Sequence, residues 1–181
     1  MKSSRKSSRS QSEKEPMQSI ELIRNNLVQS RERVLLRIDD MRDHCTVFPT
    51  PRGGGHTLWT LGHLAYIEAE VTRGFMLGQQ NPLASWDTLF DGDDVDGDVA
   101  HYPPFDEVLA SCRSVRKATI DLLDSLTESA LDHRSARSPV GVEDTFGTWR
   151  LCLQYASDHW YMHRRQLADA RRAAGLRRMW L

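Results

Sequence analysis

Three histidines occupy positions where an amphipathic helix would normally carry a hydrophobe. In DHWYMHRRQLADA, His159 and His163 are four residues apart, so on a helix their imidazoles project from one face about one turn apart. The stripe they belong to reads Trp149, Cys152, Ala156, His159, His163, Gln166 or Leu167, and Ala170. In LWTLGHLAYIEAE, His63 shares a face with Trp59, Tyr66 and Ile67, and Gly62 beside it leaves room for close helix approach. Burying an imidazole without a partner costs roughly 1–3 kcal/mol, whereas one shared cation with bonds near ~2.1 Å satisfies all three. The pattern therefore points to one divalent metal held by His63, His159 and His163. Three neutral imidazoles leave a fourth position, where water would be acidified towards pKa ~7 or a thiol would enter as thiolate. Imidazole suits zinc, nickel and iron alike and does not choose among them. Gln166 and Tyr66, each one turn beyond a histidine, are candidates to orient a ligand or substrate. Cys152 lies seven residues before His159, about 10.5 Å along a helix axis, and is read as core packing.

Other groups carry less. In DGDDVDGD, taking Gly97 as the sixth position of a calcium loop puts Gly92 first and Pro103 where the bidentate Glu belongs, so the run is a solvated acidic loop. His44, His56, His101 and His133 fall in predicted loops or at a helix end and read as exposed titrating groups, with His56 near enough to line a pocket mouth. Arg164, Arg165, Arg171, Arg172, Arg177 and Arg178 gather near a helix C-terminus, where the helix dipole favours cations. An anion or thiol-carboxylate site made from one or two of them is a secondary reading.

The elements that must position these groups follow from periodicity. Ile20, Ile23, Leu27, Val34, Ile38, Met41 and Cys45 predict helix one from about residue 18 to 45. TVFPTPRGGG forces a turn, and helix two runs from about Thr57 to Leu77, ending at Gly78 and Pro82. Helix three spans about Phe105 to Ser129, and helix four about Thr148 to Ala174. The connection over 79–104 is long. Because a 20-residue helix is ~30 Å long and about 25 extended residues cover that distance, helices two and three can lie parallel. The fold class predicted is all-α: a four-helix bundle with a long crossover between helices two and three.

The chain has 24 basic and 25 acidic residues, a net charge of −1, which argues against a dedicated nucleic-acid or membrane-surface protein. No run of about 18 uncharged apolar residues occurs, and the N-terminus lacks a signal-peptide core. Cys45, Cys112 and Cys152 are widely spaced without a CxxC pair and are expected to be unpaired, which fits a cytoplasmic location. Residues 1–16 are Ser-rich and basic and read as a disordered tail, leaving 17–181 as one bundle domain. No aromatic residue interleaves the basic ones to stack on bases, so no specific nucleic-acid partner is expected. Met179-Trp180-Leu181 is apolar and would dock on the bundle or on a second copy, making a homodimer.

WTLGHLAYIE on helix two and DHWYMHRRQLADARRAAG on helix four resemble the DinB/YfiT-like superfamily over about residues 20–175. That family shows a Trp before a first histidine and later an HxxxH followed by a basic residue, Gly and Gln-Leu. By this motif His63 matches the first ligand and His159 and His163 the second and third, while Arg165 stands where Gly is common, at a crowded turn. The resemblance implies a four-helix bundle with a long crossover. Among family activities are metal-dependent transferases and isomerases that use low-molecular-weight thiols, and the amino-terminal domain of ergothioneine-type sulfoxide synthases, whose flavour Trp86, Phe90 and YPPFDEV share. The expected function is a metal-dependent enzyme activating such a thiol or water for transfer to a small electrophilic substrate. The alternative is a non-enzymatic, metal-stabilised helical module that binds a partner protein.

Overall fold

The computed structural model describes residues 17–92, 95–177 and 179. The Ser-rich tail at 1–16, Asp93 and Asp94 of the acidic run, and Arg178, Trp180 and Leu181 lie outside the described residues. Among the described residues the fold is all-helical, with only two isolated bridges and no strand. Four long helices, α1 (Ser19–Leu35), α2 (Thr57–Ala69), α4 (Phe105–Asp124) and α6 (Trp149–Ala173), are accompanied by the single turns α3 (Asp87–Phe90) and α5 (Glu143–Phe146). Among the described residues no helix is long and apolar enough to cross a membrane.

Local chemistry sets the ends. The His56 side chain caps α2 by accepting from the Trp59 amide at 3.1 Å, satisfying one of the donors a helix start leaves open. Pro104 precedes α4, and Asp106 and Glu107 sit in its first turn, where negative charge is favourable. Thr148 caps α6, which stops before Gly175 at φ 75°. Helix two runs on past Ala69 as a π-helical segment, Glu70–Met76, and ends at Gly78 with φ 68°. Helix one is shorter than its periodicity predicts: it ends at Leu35, and the chain continues through turns and a 3₁₀ turn at Arg42–His44. Ile38, Met41 and Cys45 are buried all the same, so their spacing reported burial and not helix. Helix three ends at Asp124, short of Ser129, because Thr127 caps a separate 3₁₀ turn, Glu128–Asp132.

The core is two apolar clusters. One gathers Val34 and Ile38, Leu61 and Leu64, Val108 and Cys112, and Trp160 and Leu167; the other gathers Ile23 and Leu27, Val71 and Met76, Leu123, and Cys152, Leu153 and Ala156. Thus α2 and α4 enter the clusters in one order, and α1 and α6 in the opposite order. Between the clusters along each helix stands a polar group: Ser30 on α1, Glu68 on α2, Arg116 on α4 and the Ala156 carbonyl on α6. Arg116 is fully buried and joins them. Its Nε donates to Glu68 Oε2 at 3.0 Å, Nη1 to Leu27 O at 3.0 Å and Ser30 Oγ at 3.3 Å, and Nη2 to Ala156 O at 2.8 Å, while the ion pair brings Nη2 to 2.8 Å from Glu68 Oε2. These contacts engage all three nitrogens of the guanidinium, and the group also lies 4.3 Å from the Trp160 ring. The sequence reading did not single out this pair.

The 79–104 connection carries a 3₁₀ turn at Ala84–Trp86, then α3, then another turn at Val99–His101, and it sends Trp86, Phe90 and Tyr102 into the core. Cys45, Cys112 and Cys152 are buried and unpaired.

Candidate metal centre

His63 on α2 and His159 and His163 on α6 come together in the structure, each offering a ligand nitrogen within 4.8 Å of the others. Nε2 of His159 lies 3.2 Å from Nε2 of His63 and 3.1 Å from Nε2 of His163. Two nitrogens each ~2.1 Å from one ion stand ~3.0 Å apart at a right angle and ~3.4 Å apart at the tetrahedral angle. The two separations from His159 fall between those values, and His63 and His163 offer nitrogens within 4.8 Å of each other.

Hydrogen bonds at the far side of two rings decide where their lone pairs point. His63 Nδ1 is 2.7 Å from the Phe90 carbonyl, and His163 Nδ1 is 2.7 Å from Gln166 Oε1. A carbonyl oxygen only accepts, so both Nδ1 atoms carry the hydrogen and both Nε2 atoms present bare lone pairs. Both lone pairs face His159 Nε2, whose single hydrogen could serve only one of them. Adding a proton is disfavoured as well. Burial, then the neighbouring charges of His163, His63 and Arg116, hold the His159 imidazole down at about 2, and burial first of all lowers His163 to about 4. Three neutral donors converging in this way fit a divalent cation.

The surroundings fix the rings. Trp59 stacks on His63 at 4.5 Å between centroids and 13°, and Tyr155 stacks on His159 at 5.4 Å and 15°. Beneath Tyr155, His159 Nδ1 is buried and has no hydrogen-bond partner among the described residues. Two glycines make room for the far-side acceptors. A Cβ on Gly62 would come within 2.1 Å of the Phe90 ring, and one on Gly55 within 2.5 Å of Trp59 and 2.6 Å of the Gln166 amide nitrogen. Gly62 therefore admits an aromatic ring from the crossover and not another long helix.

The remaining sequence candidates are distributed differently. Gln166 touches His163 directly. Tyr66 does not bond to the histidines; its hydroxyl donates to Asp87 at 2.5 Å and so pins the start of α3, the turn that delivers the Phe90 carbonyl. His56, expected to be exposed, is fully buried: besides capping α2 it reaches the Asp96 carbonyl through Nε2 at 2.8 Å, and desolvation lowers its pKa. His101 and His133 are exposed and His44 partly so. Arg165, expected at a crowded turn, points into solvent with 91% of its side chain exposed. Cys152 approaches the Phe146 carbonyl and Ser135 at 3.4 Å and packs in the core. Phe90 O and Gly55 escaped the sequence reading, since a backbone carbonyl has no signature and the triple glycine signalled only a turn.

The profile of a family described as the DinB superfamily matches residues 26–167, more than half of the chain and a span that holds all three histidines. No curated protein matches it.

Proposed function

The chain belongs to the DinB superfamily, and from that premise we propose that it is a metal-dependent enzyme in which His63, His159 and His163 hold one zinc, nickel or iron ion. Its reaction on this reading is transfer of a low-molecular-weight thiol, or of water, to a small electrophilic molecule. A divalent ion supplies Lewis acidity that makes a thiol or water a nucleophile near neutral pH. The observation that carries the reading is the pair of lone pairs locked towards His159 by Phe90 and Gln166. The protein's own part is to hold the three imidazoles neutral and rotationally fixed, with Trp59 and Tyr155 limiting ring movement from either side. A 440 Å³ cavity lined by Pro49, Gly54, Met162, Arg165 and Gln166 adjoins the His163 acceptor and offers space for a small substrate.

The test is elemental analysis of protein purified without a metal-chelating tag, followed by cobalt substitution and titration with low-molecular-weight thiols. One metal per chain and a thiol-dependent change in the cobalt visible spectrum are expected. Full metal content in His163→Ala would sink the ligand assignment. A cobalt spectrum indifferent to every thiol, with no turnover of electrophiles, would leave a metal-stabilised module in place of an enzyme.

A further inference from the structure

Between helix two and α4 lies a cavity of about 440 Å³ that none of the three histidines lines. It opens where the two helices part. α2 packs along α4, whereas its π-helical continuation, Glu70–Met76, packs chiefly against α6. The gap this leaves is bounded by Ala69 and Thr72 on one side and by Ser111, Ser114, Val115 and Ala118 of α4 on the other. π-helical turns are rare and recur at functional sites. The start of the crossover closes a third side. Asn81, buried, donates through Nδ2 to the Tyr66 carbonyl at 3.2 Å and accepts from the Leu83 amide through Oδ1 at 2.8 Å. Pro82 and Leu83 are thereby held as a wall, so anchored backbone frames the hollow and the site is preformed.

Its lining carries a single ionic group, the half-buried Arg73, and no carboxylate. The guanidinium bonds through Nη1 to Gln79 Oε1 at 3.4 Å, a long contact to a neutral amide, and to no carboxylate among the described residues. The end of helix two favours a cation at this position, but that does not explain an acid-free hollow beside it. One guanidinium takes one carboxylate through two parallel hydrogen bonds. The lining supplies no second cation for a phosphate dianion or a polycarboxylate. Leu83, Val115 and Ala69 give the remainder an apolar surface for a hydrocarbon chain or ring, and the volume is that of a small-molecule site.

We infer that the cavity between α2 and α4 binds a small monocarboxylic acid with an apolar body, its carboxylate on Arg73 and its hydrocarbon part between Leu83 and Val115. The site is separate from the three histidines, and the assignment is independent of the metal reading.

Isothermal titration of the full chain with hexanoate and with phenylacetate tests it, with hexanol as the uncharged counterpart. Saturable one-to-one binding of an acid is expected. It should be weaker by about tenfold or more in Arg73→Gln, and likewise for hexanol in place of hexanoate. Arg73→Lys should keep part of the affinity, and His163→Ala all of it. Ser114→Phe, whose ring would fill the hollow, should abolish binding. Circular dichroism confirms that each variant is folded. Tighter binding of hexanoate assigns an aliphatic acid and of phenylacetate an aromatic one. The proposal is overturned by the absence of saturable binding of either acid, by hexanol binding as tightly as hexanoate, or by affinity unaltered in Arg73→Gln or in folded Ser114→Phe.

Discussion

His63 Nδ1 lies 2.7 Å from the carbonyl oxygen of Phe90, so the crossover connection fixes the tautomer of the histidine on α2. The approach depends on Gly62, where any side chain would meet the Phe90 ring. In Gly62→Ala the ring must withdraw and take its carbonyl along. Metal affinity is expected to fall about 10–100-fold, as for loss of other outer partners of metal ligands, with an overpacking cost of ~1–3 kcal/mol. Competition against a chromophoric chelator measures the first and thermal unfolding the second. Lower stability with unaltered affinity would show that the Phe90 carbonyl does not orient the ligand.

Gln166 offers a cleaner separation of affinity from folding, because it is only partly buried. Gln166→Leu removes the acceptor for His163 Nδ1 and should weaken metal binding about 10–100-fold. Gln166→Glu keeps an acceptor oxygen and should hold affinity near that of the parent. Equal affinities in all three proteins would remove Gln166 from the site.

Acid should destabilise the metal-free protein well before its carboxylates titrate. His56, His159 and His163 all have folded-state pKa values below the ordinary 6.5, so between those values the unfolded chain binds more protons than the folded one. Stability is then fully present above pH ~6.5 and declines as pH falls, by up to about 1.4 kcal/mol per pH unit for each histidine involved. The His101–Asp96 pair acts in the opposite sense, since His101 is raised, but both groups are exposed and solvent screens them. Urea midpoints should hold level from pH 7.5 to about 6.5 and fall from there to pH 4.5, less steeply in His56→Asn. A flat profile would contradict the burial of these imidazoles.

The buried pair Glu68–Arg116 gives the largest single effect expected on folding. Arg116→Met leaves Glu68 buried without a counter-charge and removes the partner of the Leu27 and Ala156 carbonyls, so a loss of about 3–5 kcal/mol is expected. Adding Glu68→Met should recover much of it, because two apolar side chains of suitable size often replace a buried ion pair at little cost. A double variant as unstable as the single one would mean that the carbonyls of α1 and α6 matter more than the charge.

The histidines were legible because each breaks an apolar stripe, and a 3.6-residue period tells which face a side chain occupies whatever it touches. The same period misled at Ile38, Met41 and Cys45, which are buried from turns, since burial and helicity coincide only while the chain stays helical. His56 was read as exposed because its partner, the Asp96 carbonyl, lies 40 residues away and is backbone. Arg116 and Glu68 sit on the inward stripes of their helices beside Cys112 and Ala65, yet charged residues are rarely buried unless paired, and the pairing is a tertiary fact. The 79–104 connection is visible in the sequence as a length, while the anchoring of Trp86, Phe90 and Tyr102 that makes it part of the site is a property of the fold.

Because one guanidinium bonds to groups on α1, α2 and α6 from its own position on α4, no long helix can detach without stranding buried donors or acceptors on the others. Local opening of that layer is therefore as costly as opening the whole bundle. Amide hydrogens near Leu27, Glu68, Arg116 and Ala156 should exchange with solvent through a single shared event, at the rate of global unfolding. His63 and His159, 96 residues apart in sequence, then belong to one cooperative unit: they stay assembled or come apart together.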